Sequence, residues 1–221
     1  MNIRETSLPG VLVLTPAVYR DSRGAFSETF NQRRMAEAGL PTDWPQDNFS
    51  ISSKNVLRGI HYQTIQPQGK LVRVTHGAVL DVAVDLRRGS PTFSRHVAVE
   101  LSGENGQMLW IPAGFGHAFL ALTEGVGFAY KVTDYYCAAG ERTIAWNDLD
   151  LAIPWPVDAE SVIISGKDRA GVALRDAEIS RKDLAAFWGR PRGKIQGGIS
   201  WNTPWRNVPF YPSPPMVYSL G

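Results

Sequence analysis

The chain has 221 residues, 23 Lys and Arg against 21 Asp and Glu, a formal net charge of +2, 43% hydrophobic residues and one cysteine. That length admits one large domain or two small ones and needs no disulfide or metal to fold, while so small a net charge argues against a protein built to bind nucleic-acid phosphates. The lone Cys137, the absence of any run near the roughly 18 apolar residues that span a bilayer, and an opening MNIRETSLPG without signal-peptide features lead us to expect a cytoplasmic protein with no membrane partner.

In chain order, the first predicted element is a short helix over 32–38, ended by Gly39 and Pro41. Strand-like patterns then dominate. Residues 58–63 follow the apolar pair Val56-Leu57; a regular strand there turns Arg58 and Tyr62 away from Leu57, His61 and Gln63. Residues 71–75 alternate up to a turn at Gly77. Residues 79–86 are apolar at nearly every position, interrupted by Asp81 and Asp85. The runs 96–101, 107–111 and 128–133 read the same way, each rich in β-branched, aromatic or other apolar residues. Short strands separated by Gly, Pro, Ser and Asn predict a sandwich or barrel instead of βαβ units.

An apolar run at 162–164 is closed by Ser165-Gly166-Lys167-Asp168. A second helix is predicted over 180–188, with Ser180 as N-cap and Asp183 at the capping-box position. From residue 189 onward, six Pro and five Gly among 33 residues exclude a regular helix or an inner strand. Trp201, Trp205, Phe210, Tyr211 and Tyr218 make this stretch too aromatic for a plain linker. It reads as an arm packed on its own body or a neighbouring subunit, or as a partner-docking tail. The expected organisation is one domain at 1–188 and an extension at 189–221.

Residues Pro112-Ala113-Gly114-Phe115-Gly116-His117 resemble the second box of the cupin jelly rolls, in which a Pro-x-Gly turn presents a His to the barrel interior. Metal-binding cupins take their other ligands from an earlier His-x-His pair. His61, His76 and His96 stand apart and supply no such pair, whereas a transition-metal site normally gathers three or four ligands. No metal and no cofactor are expected.

What the sequence offers instead is acid–base chemistry. A His held by a carboxylate is a general base at neutral pH, a Tyr can return a proton, and a Lys or Arg can stabilise an oxyanion. Together they suit proton abstraction next to a carbonyl. Each residue type also has a plain structural use, and spacing does not bring the segments together.

A resemblance does. Arg23-Gly24-Ala25-Phe26-Ser27-Glu28, Gln46-Asp47-Asn48-Phe49-Ser50, residues 56–63, Gly69-Lys70-Leu71-Val72-Arg73-Val74, and residues 80–86, 110–119, 130–136 and 165–168 follow one another as in the dTDP-4-dehydrorhamnose 3,5-epimerases. The chain resembles that family from about residue 3 to 175. The resemblance implies a mainly β, cupin-type jelly-roll barrel with a few short peripheral helices. It implies His61 as the base, Asp168 as its carboxylate partner, Tyr130 as the proton donor on the opposite sugar face and Lys70 as the enolate stabiliser. Tyr136 matches the tyrosine that stacks on thymine. Arg23, Glu28, Gln46, Asn48, Arg58, His117, Glu141 and Lys167 match positions that contact nucleotide, diphosphate or sugar. Cys137, just after Tyr136, is expected in a strand at the pocket rim.

The implied substrate is a dTDP-linked 4-keto-6-deoxy hexose on the route to L-rhamnose, epimerised at C3 and C5 without a cofactor. A single-site epimerase of another deoxysugar pathway and a non-catalytic nucleotide-sugar-binding jelly roll stay open. The resemblance further implies a homodimer in which N-terminal strands join the neighbour's sheet and bring Arg23 and Glu28 to the partner's pocket.

Overall fold

Two antiparallel sheets form the framework of the computed structural model, which describes residues 1–179. The six-stranded sheet runs β1 (Asn2–Glu5), β2 (Leu12–Thr15), β10 (Met108–Ile111), β7 (Lys70–His76), β12 (Val126–Val132), β5 (Gln46–Ser52). The five-stranded sheet runs β13 (Glu141–Thr143), β6 (Leu57–Gln63), β11 (Phe115–Ala121), β8 (Ala78–Asp85), β9 (His96–Ser102). A separate hairpin pairs β3 (Val18–Asp21) with β4 (Gly24–Ser27). This is the jelly-roll barrel expected, with two short helices among the described residues, α1 (Gln32–Glu37) and α2 (Gly166–Arg169), and a 3-10 turn at Leu174–Asp176.

The core lies between the sheets, where Val13, Val72, Leu109 and Phe128 meet Val79, Ala83, Phe115 and Phe119. A second apolar layer covers the outer face of the five-stranded sheet. There Ile60, Val82, Val84 and Ala118 pack against Ile144, Leu151, Ile153 and Leu174. Buried on both faces, β8 is apolar at nearly every position. Its phase sends Val79 and Ala83 into the barrel and Val82 and Val84 outward, so Asp81 and Asp85 face inward with the first set.

Helix α1 covers the outer face of the other sheet. At six residues it is too short to persist alone. Burial of Met35 against Leu14, Leu71 and Trp110 holds it down, worth about 2 kcal/mol. The Asn31 side chain caps its start by accepting the Arg34 amide, worth about 1 kcal/mol. The predicted end at Gly39 is observed, with Gly39 donating to the Ala36 carbonyl.

The apolar run 162–164 meets a neighbour through Ile163, by a parallel bridge to Val56. After it the chain turns into α2, where the Ser165 hydroxyl accepts the Asp168 amide at 3.1 Å. One local expectation is corrected: Cys137 lies not in a strand but in the loop between β12 and β13, since the ladder ends at Val132 and the chain must cross to the other sheet. The predicted helix 180–188 and the extension 189–221 lie outside the described residues. Among the described residues no helix is long and apolar enough to cross a membrane.

Candidate active site

Strand β6 supplies the chemical centre, through an irregularity. Opposite it on β11, His117 pairs with His61 and Phe119 with Arg58, so two steps on β11 match three on β6. The extra residue is a bulge that shifts the strand's phase. Gly59 permits it, with φ near +120° and no side chain to strike the backbone of His117 and Ala118. Arg58 therefore shares a cavity with His61 and Gln63 and does not point away from them, which corrects the regular alternation. Tyr62 packs in the outer apolar layer, its hydroxyl donating to the Glu178 carbonyl at 3.0 Å.

The cavity measures about 730 Å³ and opens between the sheets. Of the residues singled out by the sequence, Asn48, Arg58, His61, Lys70, His117, Tyr130, Tyr136 and Glu141 line it. Phe115, Phe119, Phe128 and Leu86 add apolar wall.

His61 Nε2 is hydrogen-bonded to Asp168 Oδ1 across 107 residues of sequence. The imidazole is 28% exposed and the carboxylate only 4%, so the ring can meet a ligand while its partner stays fixed. Burial works to raise the Asp168 carboxyl, but His61 and Ser165 outweigh it and hold it below its ordinary range. An ionised carboxylate in that position orients the ring and steadies an imidazolium. Tyr130, on β12 between Asn48 and Val72 of its neighbours, is pushed up chiefly by burial, with Glu141 adding to the effect and Arg58 opposing it. Its hydroxyl stays protonated at neutral pH.

Lys70 opens β7 at the cavity wall, where burial lowers it to about 8 against the pull of Asp81 and Glu141. His117 makes a second His–Asp pair, its Nε2 lying 3.0 Å from Asp81 Oδ2. Burial lowers that imidazole, and Lys70 and His61 lower it further, against the opposing Asp81. Asp81 was missed as a site residue. Its signal was visible, as a carboxylate set into an apolar strand buried on both faces.

The rim is a linked polar chain. The Tyr136 hydroxyl donates to Glu141 Oε2 at 2.5 Å, and Glu141 pairs with Lys167, the neighbour of Asp168. Burial alone would raise Glu141; Lys167 and Tyr136 hold it below the usual carboxylate range. The same bond pushes the exposed Tyr136 hydroxyl up. Gln46 stands behind this rim, donating to Asn48 Oδ1 and accepting the Tyr136 amide.

Arg23 and Glu28 are not among the residues around the cavity of their own chain. Arg23 is 88% exposed on the β3–β4 hairpin and paired with Asp21, while Glu28 pairs with Arg34 of α1 at 2.9 Å. Among the described residues, no three His, Cys, Asp or Glu side chains gather as a metal-binding group.

Known proteins share this sequence and fold. The sequence model of the dTDP-4-dehydrorhamnose 3,5-epimerase family matches residues 5–176. A dTDP-4-dehydrorhamnose 3,5-epimerase of Pseudomonas aeruginosa is 50% identical over 179 residues, 80% of this chain and 98% of its own. The crystal structure of a dTDP-6-deoxy-D-glucose-3,5-epimerase from Legionella pneumophila, in complex with dTDP-4-keto-L-rhamnose, superposes with a TM-score of 0.78 at 48% identity. It covers 80% of this chain and 94% of that one. A 3'-monoepimerase from Streptomyces bikiniensis, bound to dTDP-quinovose, is more distant, at 35% identity and a TM-score of 0.73 over 77% of this chain and 86% of its own.

Proposed function

Because this chain belongs to the dTDP-4-dehydrorhamnose 3,5-epimerase family, we propose that it converts dTDP-4-dehydro-6-deoxy-D-glucose to dTDP-4-dehydro-L-rhamnose by inverting C3 and C5. The observation that carries the reading is the His61–Asp168 pair, with its half-buried imidazole facing the same cavity as Tyr130. The C4 ketone of such a sugar acidifies the hydrogens on both neighbouring carbons. One base and one acid therefore suffice for either centre, without a cofactor.

His61 removes the proton, with Asp168 stabilising the imidazolium. Lys70 holds the negative oxygen of the enolate, and Tyr130 returns a proton to the opposite face. The acid–base pair contributes about 10²–10⁴-fold, and positioning with oxyanion stabilisation supplies most of the rest. Tyr136 gives thymine a flat face. Arg58 and Lys167, joined by Arg23, offset the diphosphate charge, and Gln46, Asn48, His117, Glu141 and Glu28 contact the remaining polar groups.

We further propose a homodimer in which the N-terminal strands join the neighbour's sheet, so that Arg23 and Glu28 serve the partner's cavity. Both lie away from their own cavity, which fits that arrangement. A single free cysteine fits a reducing cytoplasm.

Incubation with dTDP-4-keto-6-deoxyglucose in D₂O, followed by proton NMR, tests the reaction. Loss of both the C3 and C5 proton signals is expected. Exchange at one carbon alone would make the chain a single-site enzyme, the reading favoured by its likeness to the 3'-monoepimerase. No exchange at either carbon would leave a nucleotide-sugar-binding module and overturn the epimerase.

A further inference from the structure

Two glutamines grip the backbone beside Tyr136. The loop that carries it crosses from β12 in one sheet to β13 in the other. The Tyr136 amide donates to Gln46 Oε1 at 2.9 Å, and the next amide, that of Cys137, donates to Gln63 Oε1 at 2.8 Å. Gln46 lies on β5 and Gln63 on β6, so each sheet contributes one hold. The Gln63 NH₂ group is engaged as well, donating to the Gln66 carbonyl at 2.6 Å and the Tyr135 carbonyl at 3.3 Å. A primary amide can accept on one side and donate twice on the other; neither a carboxylate nor an apolar side chain of that size can do both.

The consequence falls on the Tyr136 ring. It is 54% exposed, so packing does little to orient it. Its position is set by the two gripped amides and by the hydroxyl bond to Glu141. A ring fixed before binding loses less freedom when a flat base stacks on it. Gln63 also lies two residues beyond His61 on the same strand, a separation of about 7 Å. Strand β6 thereby sets the distance between the stacking ring and the imidazole.

We propose that Gln63 is a positioning residue for nucleobase recognition, fixing the Tyr136 loop as a preformed stacking platform at the cavity mouth. This deepens the nucleotide-binding reading given above and rests on it.

The test compares Gln63→Leu and Gln63→Glu with the unmodified 221-residue chain. Leucine removes both polar functions. Glutamate keeps the acceptor for the Cys137 amide but turns an oxygen on the Gln66 and Tyr135 carbonyls. Both variants are expected to weaken dTDP binding, read by calorimetry, and to raise KM about tenfold while kcat changes less than about twofold. In a Tyr136→Ala background, Gln63→Leu should add little further loss, because the platform it positions is gone. If the leucine variant fails to fold, the isosteric glutamate variant carries the comparison. A wild-type chain that does not bind dTDP overturns the nucleotide reading itself. Wild-type binding with unchanged Gln63 variants, losses that add fully to Tyr136→Ala, or a fall in kcat at constant KM overturns the positioning role alone.

Discussion

Four titratable side chains around one cavity receive different environments, and the proposed proton traffic follows from the differences. Asp168 is held ionised by its hydrogen bonds, and Tyr130 is kept protonated by burial. His61→Asn should abolish turnover while dTDP binding persists, because the proposed role of His61 is to act on the sugar; wild-type-like turnover would remove His61 from its role. Tyr130→Phe should block reprotonation yet still allow deuterium from solvent into the substrate, which NMR in D₂O detects. Lys70 gives the pH dependence its direction. Lowered by burial to about 8, it loses its charge as the pH rises through that value. The proposed enolate stabilisation goes with it, so kcat/KM, which reports the free enzyme, should fall above about pH 8. Arginine keeps its charge throughout, so whatever rate Lys70→Arg retains should lack that alkaline limb. An unmoved limb would belong to another group. Stability runs the opposite way. The unfolded lysine holds its proton up to its ordinary 10.5, so between the two values the unfolded state binds more protons. Stability then rises with pH, by at most about 1.4 kcal/mol per unit.

Strand β6 shows how far an element's pattern carries information. That it is a strand follows from its composition, and that β8 is buried on both faces follows from a run that is apolar at nearly every position. Which of its side chains share a face does not follow, because one bulged residue reverses the phase between Arg58 and His61. Nor does the local hydrophobicity of 162–164 reveal that Ser165 caps a helix four residues long and delivers Asp168 to His61. The pairing of residues 107 apart came from resemblance, not from any local signal. Asp81 is the reverse case, an anomaly legible in the sequence whose partner, His117, only the fold reveals. The bulge gives the element its own prediction. In Gly59→Ala the new Cβ would lie 2.5 Å from the Ala118 Cβ and the His117 carbonyl oxygen, at a φ of +120° that side chains avoid. Overpacking and backbone strain together should cost about 3 kcal/mol, measured by denaturant unfolding. A loss below about 0.5 kcal/mol would mean that β6 can give up the bulge without penalty.

For the whole molecule, the exposed apolar surface bears on the proposed dimer. Strand β5 closes the six-stranded sheet with an open edge, and its Ile51 is 68% exposed. Phe26, on the β3–β4 hairpin beside Arg23, is 65% exposed. An apolar edge and an apolar hairpin invite strand addition, and a two-fold pair is the usual closed solution. The proposed dimer makes a claim that simple mass measurement would miss, namely that each cavity depends on the other chain's hairpin. Subunit mixing tests it. A His61→Asn chain has a dead cavity and an intact hairpin; an Arg23→Ala, Glu28→Gln chain has the reverse. Each is expected to be nearly inactive alone. After equal mixing and exchange, about half the dimers are mixed, and in each of these one of the two sites joins an intact cavity to an intact hairpin. Activity should therefore return to about a quarter of the wild-type value, since one site in four is whole. If the hairpin serves its own cavity, every mixed site contains one defective part and mixing restores nothing. Light scattering on the same samples separates that outcome from a chain that never dimerises, because a monomer at micromolar concentration would dismiss the shared site along with the dimer.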